Sequence, residues 1–234
     1  MALVFAHRGA NRFAPDNTLP AFARAVELGA DGVELDIHRT ADGALMVCHD
    51  AATPRGVLAE MTFGDVRAAL PDVPTLEEAL DVCAGLVVNV EIKNTPSEGD
   101  WDPTDRAAHL LVELLAHRGG RDRVLVSSFN LPSVDIVRSL APHLPTALLT
   151  WGTDPLASLL IAESHGHGAL HPDYRSVAGV LAGAAATRAH ERGLHVNVWT
   201  VNDPEEIARL AAAGIDALIT DVPDVALEAL GRRA

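Results

Sequence analysis

Eight short runs rich in Val, Leu and Ile recur along the chain, at residues 3–7, 32–38, 86–93, 124–129, 146–150, 168–172, 195–200 and 216–220. Segments of helical period separate them, and this alternation constrains the fold more than any other feature. A strand followed by enough chain for a helical crossover pairs parallel to the next strand. Helical period is clearest over residues 19–28, 76–84, 104–117, 182–192 and 204–213, each followed closely by Gly29, Gly85, Gly119, Gly193 or Gly214. Glycine suits the position after a helix because it takes a positive φ at no steric cost. Eight parallel strands with helices between them, in a chain close to the usual length of about 250 residues, predict a (β/α)8 barrel. With no Pro-rich or Gly/Ser-rich linker, residues 1–234 read as one domain.

A ninth apolar run, 45–50, follows the second strand after only Thr40-Ala41-Asp42-Gly43. Four residues are too few for a parallel crossover, and Asp-Gly is a hairpin signal. The run is therefore expected to return antiparallel, bringing His49 roughly opposite residues 34–36.

Composition narrows the partners. The chain has 18 Lys+Arg against 32 Asp+Glu, a formal charge of −14, which argues against a nucleic-acid backbone or an anionic membrane surface, since both require clustered basic residues. No run of about 18 apolar residues occurs, and the apolar start Met1-Ala2-Leu3-Val4-Phe5 is too short for a signal segment, so a cytoplasmic protein without a membrane span is expected. Cys48 and Cys83 both lie in apolar stretches and read as reduced core residues.

In this fold the C-terminal ends of the strands meet at one mouth, where active sites are built. Strand one ends in His7-Arg8-Gly9, strand two carries Glu34 and Asp36, strand three carries Glu91 and Lys93, and the hairpin returns His49. Residues two apart share a strand face. If Glu34, Asp36 and Glu91 point inward, Val33, Leu35, Val90 and Ile92 form the helix-covered face; an exposed strand face is the bland alternative. Three converging buried carboxylates repel unless protonated or bridged by a cation, and an all-oxygen set selects a hard ion such as Mg2+ or Ca2+. Lys93 is the only lysine in the chain. It can pair with Glu91 or act as a Schiff-base nucleophile, which borohydride trapping would reveal. Arg8 can fork onto a phosphate or pair with a surface acid. His7 and His49 suit an acid/base pair, with metal ligation as the competing role. His109, His117, His143 and His190 read as surface residues, and His165-x-His167, in a glycine-flanked loop, is a weak metal motif. His171 and Trp199, near the ends of strands six and seven, are placed in the pocket lining, although Trp199 serves equally well as core filling.

These residues closely resemble the glycerophosphodiester phosphodiesterase family. The matching motifs are His7-Arg8-Gly9, Asn17-Thr18, Glu34-Leu35-Asp36, Asp42-Gly43, His49-Asp50, Pro74-Thr75-Leu76, Glu91-Ile92-Lys93, Trp199-Thr200-Val201-Asn202 and Thr220-Asp221, in family order across almost the whole chain. The resemblance implies a metal-dependent barrel with one Ca2+ or Mg2+ held by Glu34, Asp36 and Glu91. It also implies His7 and His49 as general acid and base, Arg8 and Lys93 on the phosphate, and products sn-glycerol 3-phosphate and an alcohol. Two departures stand out: Asp16 replaces the family's Glu before Asn-Thr and reaches less far, and residues 51–72 form a short insertion without the usual Arg-Thr-Thr stretch. Substrate choice is thereby left open between glycerophosphodiesters and lysophospholipids. The non-enzymatic alternative is a barrel that binds phosphodiesters without cleaving them.

Overall fold

The computed structural model describes residues 1–232. Eight strands run parallel around a closed barrel: β1 (Leu3–His7), β2 (Gly32–Arg39), β6 (Val87–Ile92), β7 (Arg123–Ser128), β8 (Thr146–Thr150), β9 (Ala169–Pro172), β10 (His195–Val198) and β11 (Ala217–Thr220), with β11 pairing back onto β1. Outside them pack α1 (Leu19–Leu28), α2 (Phe63–Ala69), α3 (Leu76–Val82), α4 (Arg106–His117), α5 (Leu131–Leu140), α6 (Pro155–Ser164), α7 (Leu181–His190), α8 (Pro204–Ala212) and α9 (Pro223–Ala229).

The remaining strands lie after β2. β3 (Leu45–Val47) pairs antiparallel with it, Ile37 opposite Val47 and Arg39 opposite Leu45, and β4 (Ala52–Thr53) with β5 (Gly56–Val57) forms a small hairpin. β1 pairs with β2 only as far as Glu34, which leaves the edge beyond it free for β3. The antiparallel return is as expected, but its ladder ends at Val47. Cys48 still donates its N–H to the Asp36 carbonyl at 3.1 Å, so His49 is delivered just past the paired segment.

Alternation along the strands sorts the core into two layers. Inside the barrel lie Phe5, Leu125, Ala147, Ala169, Ala217 and Ile219. Outside, Val33, Leu35, Val90 and Ile92 pack with Phe22, Leu80 and Leu111 under the helices, as the sequence pattern predicts. Each such fully buried side chain contributes about 1.5–3 kcal/mol of transfer free energy, so these outer layers hold the barrel closed. Capping boxes at Thr62/Asp65 and Thr75/Glu78 fix the starts of α2 and α3.

Four helices escape the periodicity reading. α6 is apolar almost all round, α9 and α2 span only seven residues, and α5 ends at Ala141 rather than at a glycine. Strand ends also shift: Lys93 lies one residue past β6, and Trp199 and Thr200 lie past β10. Cys48 and Cys83 are both free thiols, and burial pushes Cys83 up to about 12. Among the described residues, no helix is long and apolar enough to cross a membrane.

Candidate active site

Strand register assembles the mouth. β1 beside β2 sets His7 next to Glu34, and β2 beside β6 sets Asp36 next to Glu91. One oxygen from each of Glu34, Asp36 and Glu91 lies within 4.8 Å of the other two, and all three residues are buried. Asn17 donates to Asp36 Oδ2 at 2.8 Å, and the Arg8 backbone N–H donates to Glu34 Oε2 at 3.1 Å. That second bond requires the chain to turn sharply after His7. Arg8 sits at φ +55° and Gly9 at φ +82°, and a Cβ on Gly9 would stand 2.8 Å from Ala21 of α1, so only glycine fits the approach.

Burial and mutual repulsion raise the Glu34 carboxyl well above its ordinary range. Burial, then Asp36, pushes Glu91 up to about 7, although Lys93 pulls the other way. Glu91 Oε1 is buried without a well-aligned hydrogen bond; Lys93 Nζ approaches it to 3.2 Å and also lies 3.9 Å from Asp36 and 3.7 Å from Glu98. Arg8 Nε lies 3.3 Å from Asp36, and its Nη1 reaches Asp16 at 3.2 Å. Burial opposes both cations, yet the surrounding carboxylates win and raise Arg8 and Lys93 above their usual values. Two cations thus face the three buried carboxylates together with Asp16 and Glu98, so negative charge is left to be offset when all are ionised.

Both histidines reach the same cavity, of about 70 Å3, which Glu34, Glu91 and Lys93 also line. His7 Nδ1 lies 2.7 Å from Asp221 Oδ1, with Nε2 3.8 Å from Glu34. Asn11 and Asn202 each donate to Asp221 at 2.6 Å. Burial works against ionisation of Asp221, but these hydrogen bonds together hold its carboxyl far below the usual range. The imidazole therefore presents Nδ1–H to an anion and turns Nε2 toward the carboxylates. His49 lies 2.7 Å from Asp50 through Nδ1 and is held from behind by His38, whose Nε2 donates to the His49 carbonyl at 3.1 Å while Nδ1 donates to Asp100 at 2.8 Å. Burial disfavours a charged His38, but Asp100 outweighs it and the pKa rises.

Trp199 lines the cavity, donates Nε1–H to the His171 carbonyl at 2.8 Å, and packs edge-on against Phe129 at 5.5 Å. His171 does not line it. Its ring lies wholly buried beneath the mouth with Nε2 2.8 Å from Asn197, because β9 turns this position inward one layer below the strand ends; its part is to seat Trp199 through its carbonyl. His109, His117, His143 and His190 are exposed, as expected. Sequence reading assigned no role to Asn11, Asp221, Asn202, His38 or Asp100. Asp221 stands 214 positions from His7; the motifs Thr220-Asp221 and Trp199-Thr200-Val201-Asn202 marked Asp221 and Asn202 without a role, and only barrel closure shows that Asp221 backs His7.

Beyond Trp199 the cavity continues into a hollow of about 340 Å3 lined by Phe129, Trp151 and Tyr174. A larger space of about 930 Å3 occupies the opposite end of the barrel, bordered by strand starts such as Leu3, Val87 and Ala217. No carboxylate trio converges there among the described residues, so chemistry rather than size locates the site at the mouth.

Residues 7–225 match the Glycerophosphoryl diester phosphodiesterase family. A glycerophosphodiester phosphodiesterase of Caldanaerobacter subterraneus subsp. tengcongensis is 32% identical over 246 aligned positions, covering 95% of each chain. A crystal structure of a glycerophosphodiester phosphodiesterase from Thermotoga maritima superposes with a TM-score of 0.81 at 27% identity, covering 99% of both chains. An Oleispira antarctica phosphodiesterase in complex with the product sn-glycerol-3-phosphate shares the fold, with a TM-score of 0.85 at 24% identity and coverage of 99% and 97%. With the match spanning the mouth from His7 to Asp221 and beyond, the chain belongs to the glycerophosphoryl diester phosphodiesterase family and is an enzyme of it.

Proposed function

We propose that this enzyme hydrolyses glycerophosphodiesters to sn-glycerol 3-phosphate and an alcohol with one divalent cation, Ca2+ or Mg2+. The observation that carries the reading is the meeting of His7, His49, Arg8 and Lys93 with three buried carboxylates around one small cavity. The donor set fits a hard cation: it is all oxygen, it is crowded enough to raise Glu34 and Glu91, and Glu91 Oε1 has no aligned donor. Glu34, Asp36 and Glu91 would hold the ion. When bound, it would offset charge on the phosphate and lower the pKa of the glycerol 2-hydroxyl.

The side chains carry the remaining steps. Arg8 and Lys93 hold the phosphate oxygens where charge grows in the transition state. His7, backed by ionised Asp221, is equipped to take the proton of the attacking 2-hydroxyl through Nε2, since the carboxylate stabilises the imidazolium that forms. Attack on phosphorus expels the alcohol and closes a cyclic phosphate. His49, which borders both the cavity and the aromatic hollow, hands its proton to the departing oxygen. Water then opens the ring, the two histidines exchanging roles. A compact alcohol such as choline or ethanolamine fits the hollow.

Turnover of glycerophosphocholine with Ca2+ or Mg2+ tests the proposal. Full activity after exhaustive chelation would overturn the metal role, and no turnover with either ion would favour a barrel that binds phosphodiesters without cleaving them. Trp151, 70% exposed beside the hollow, supports a second reading, in which the acyl chain of a lysophospholipid rests on this rim. Lysophosphatidylcholine assayed in parallel separates the two.

A further inference from the structure

The opposite end of the barrel carries a second group of ligating side chains. Asp135 projects from α5, and the loop from α6 to β9 supplies His165 and His167 on either side of Gly166. His165 Nδ1 lies 3.1 Å from Asp135 Oδ1, and His167 Nε2 lies 3.3 Å from the same oxygen. One donor atom from each residue lies within 4.8 Å of the other two. Tetrahedral coordination with bonds of about 2.0–2.1 Å sets neighbouring donors about 3.3 Å apart, so two of the three donor pairs already have near-coordinating spacing.

His167 distinguishes this cluster from an ordinary surface ion pair. Its side chain is completely buried, and its Nδ1 is occupied by Thr146 Oγ1 at 2.9 Å. Nε2 has no hydrogen-bond partner and is aimed at the Asp135 carboxylate. Thr146 on one ring nitrogen orients the ring, and when Nδ1–H donates to the hydroxyl oxygen Nε2 offers its lone pair, the arrangement that supports a metal-bound imidazole. His165 and Asp135 are each more than a third exposed, which opens the cluster to solvent and leaves room for water as a fourth ligand. A neighbouring set, His190 and His195 around Asp216, lacks these features: both histidines are exposed, and Asp216 Oδ2 already accepts the Val196 N–H.

We propose that Asp135, His165 and His167 form a binding site for a borderline divalent cation, Zn2+ foremost, that ties α5 to the loop entering β9 and is separate from the mouth. Two imidazoles and a carboxylate favour such an ion over Ca2+ or Mg2+, which prefer oxygen.

Calorimetric titration of metal-free enzyme with Zn2+, repeated on Glu91→Gln to remove a ligand of the mouth, tests the site. One equivalent is expected to bind in Glu91→Gln, and wild type should show this same equivalent whether or not the mouth takes up a further ion. His165→Ala, a change at an exposed residue that spares the fold, should weaken this binding at least about 10-fold, and Thr146→Val, acting through His167, by about 10-fold as well. Co2+ should give the strong visible bands of a tetrahedral site in Glu91→Gln, lost in His165→Ala. Turnover of glycerophosphocholine with Ca2+ should be unchanged in His165→Ala. Absence of saturable Zn2+ binding in Glu91→Gln, binding indifferent to His165→Ala, or binding lost instead in His190→Ala would each overturn the proposal.

Discussion

Replacing His171 by glutamine tests how the barrel interior treats a titratable ring. Burial lowers the His171 pKa to about 3, against about 6.5 in an unfolded chain. The depressed value means that the unfolded chain takes up a proton which the native state refuses. Stability is therefore complete above the unfolded pKa and drains away as pH falls below 6.5, at a slope approaching about 1.4 kcal/mol per unit until the native ring protonates near pH 3. At pH 5 the loss from this one residue is RT ln(1 + 10^1.5), or about 2 kcal/mol. In the His171→Gln variant the side chain has no proton to titrate, while its amide keeps an acceptor for Asn197 and the backbone carbonyl still seats Trp199. Urea denaturation of both proteins in EDTA at pH 7.5 and pH 5 gives the comparison, and any packing difference cancels because it is present at both values. Wild type should lose about 2 kcal/mol more than His171→Gln between the two conditions. Equal losses would refute the argument, and would mean that water or relaxation stabilises a charged ring beneath the mouth.

Glu91→Gln should abolish both the Ca2+-dependent rise in Tm and the turnover of wild type, while the apo protein stays folded; an undiminished rise would remove Glu91 from the ligand set. His7→Ala and His49→Ala should each lower kcat by about 10²-fold or more, as general acid–base groups do. A substrate with a very good leaving group should rescue His49→Ala alone, and rescue of His7→Ala instead would reverse their roles. Lys93→Arg should lower kcat with little change in metal affinity, since a planar fork cannot replace a compact ammonium wedged 3.2 Å from Glu91 and 3.7 Å from Glu98. Full activity of Lys93→Arg would pass the phosphate contact to Arg8.

Local chemistry determined a good deal of this protein. Strand alternation placed Glu34, Asp36 and Glu91 on one face and Val33, Leu35 and Val90 on the other, because side chains in a strand point to opposite sides whatever the tertiary context. The five-residue connection between β2 and β3 forced β3 to run antiparallel and so delivered His49 to the mouth. Glycines marked helix ends because few other residues adopt positive φ cheaply. What the sequence could not settle was depth and long-range partnership. His171 and Trp199 both stand near strand ends, yet ladder geometry buries one and leaves the other on the cavity wall. Asp221 meets His7 only because β11 closes against β1, and Asp100 meets His38 only because the loop after β6 folds back over β2. Such contacts join residues that share no local period, so their energy enters only when the ring of strands is complete. The same holds for Asp135 with His165 and His167: the histidine motif is local, but its third ligand and its buried Thr146 support come from a different helix and strand, and only packing decides that they meet.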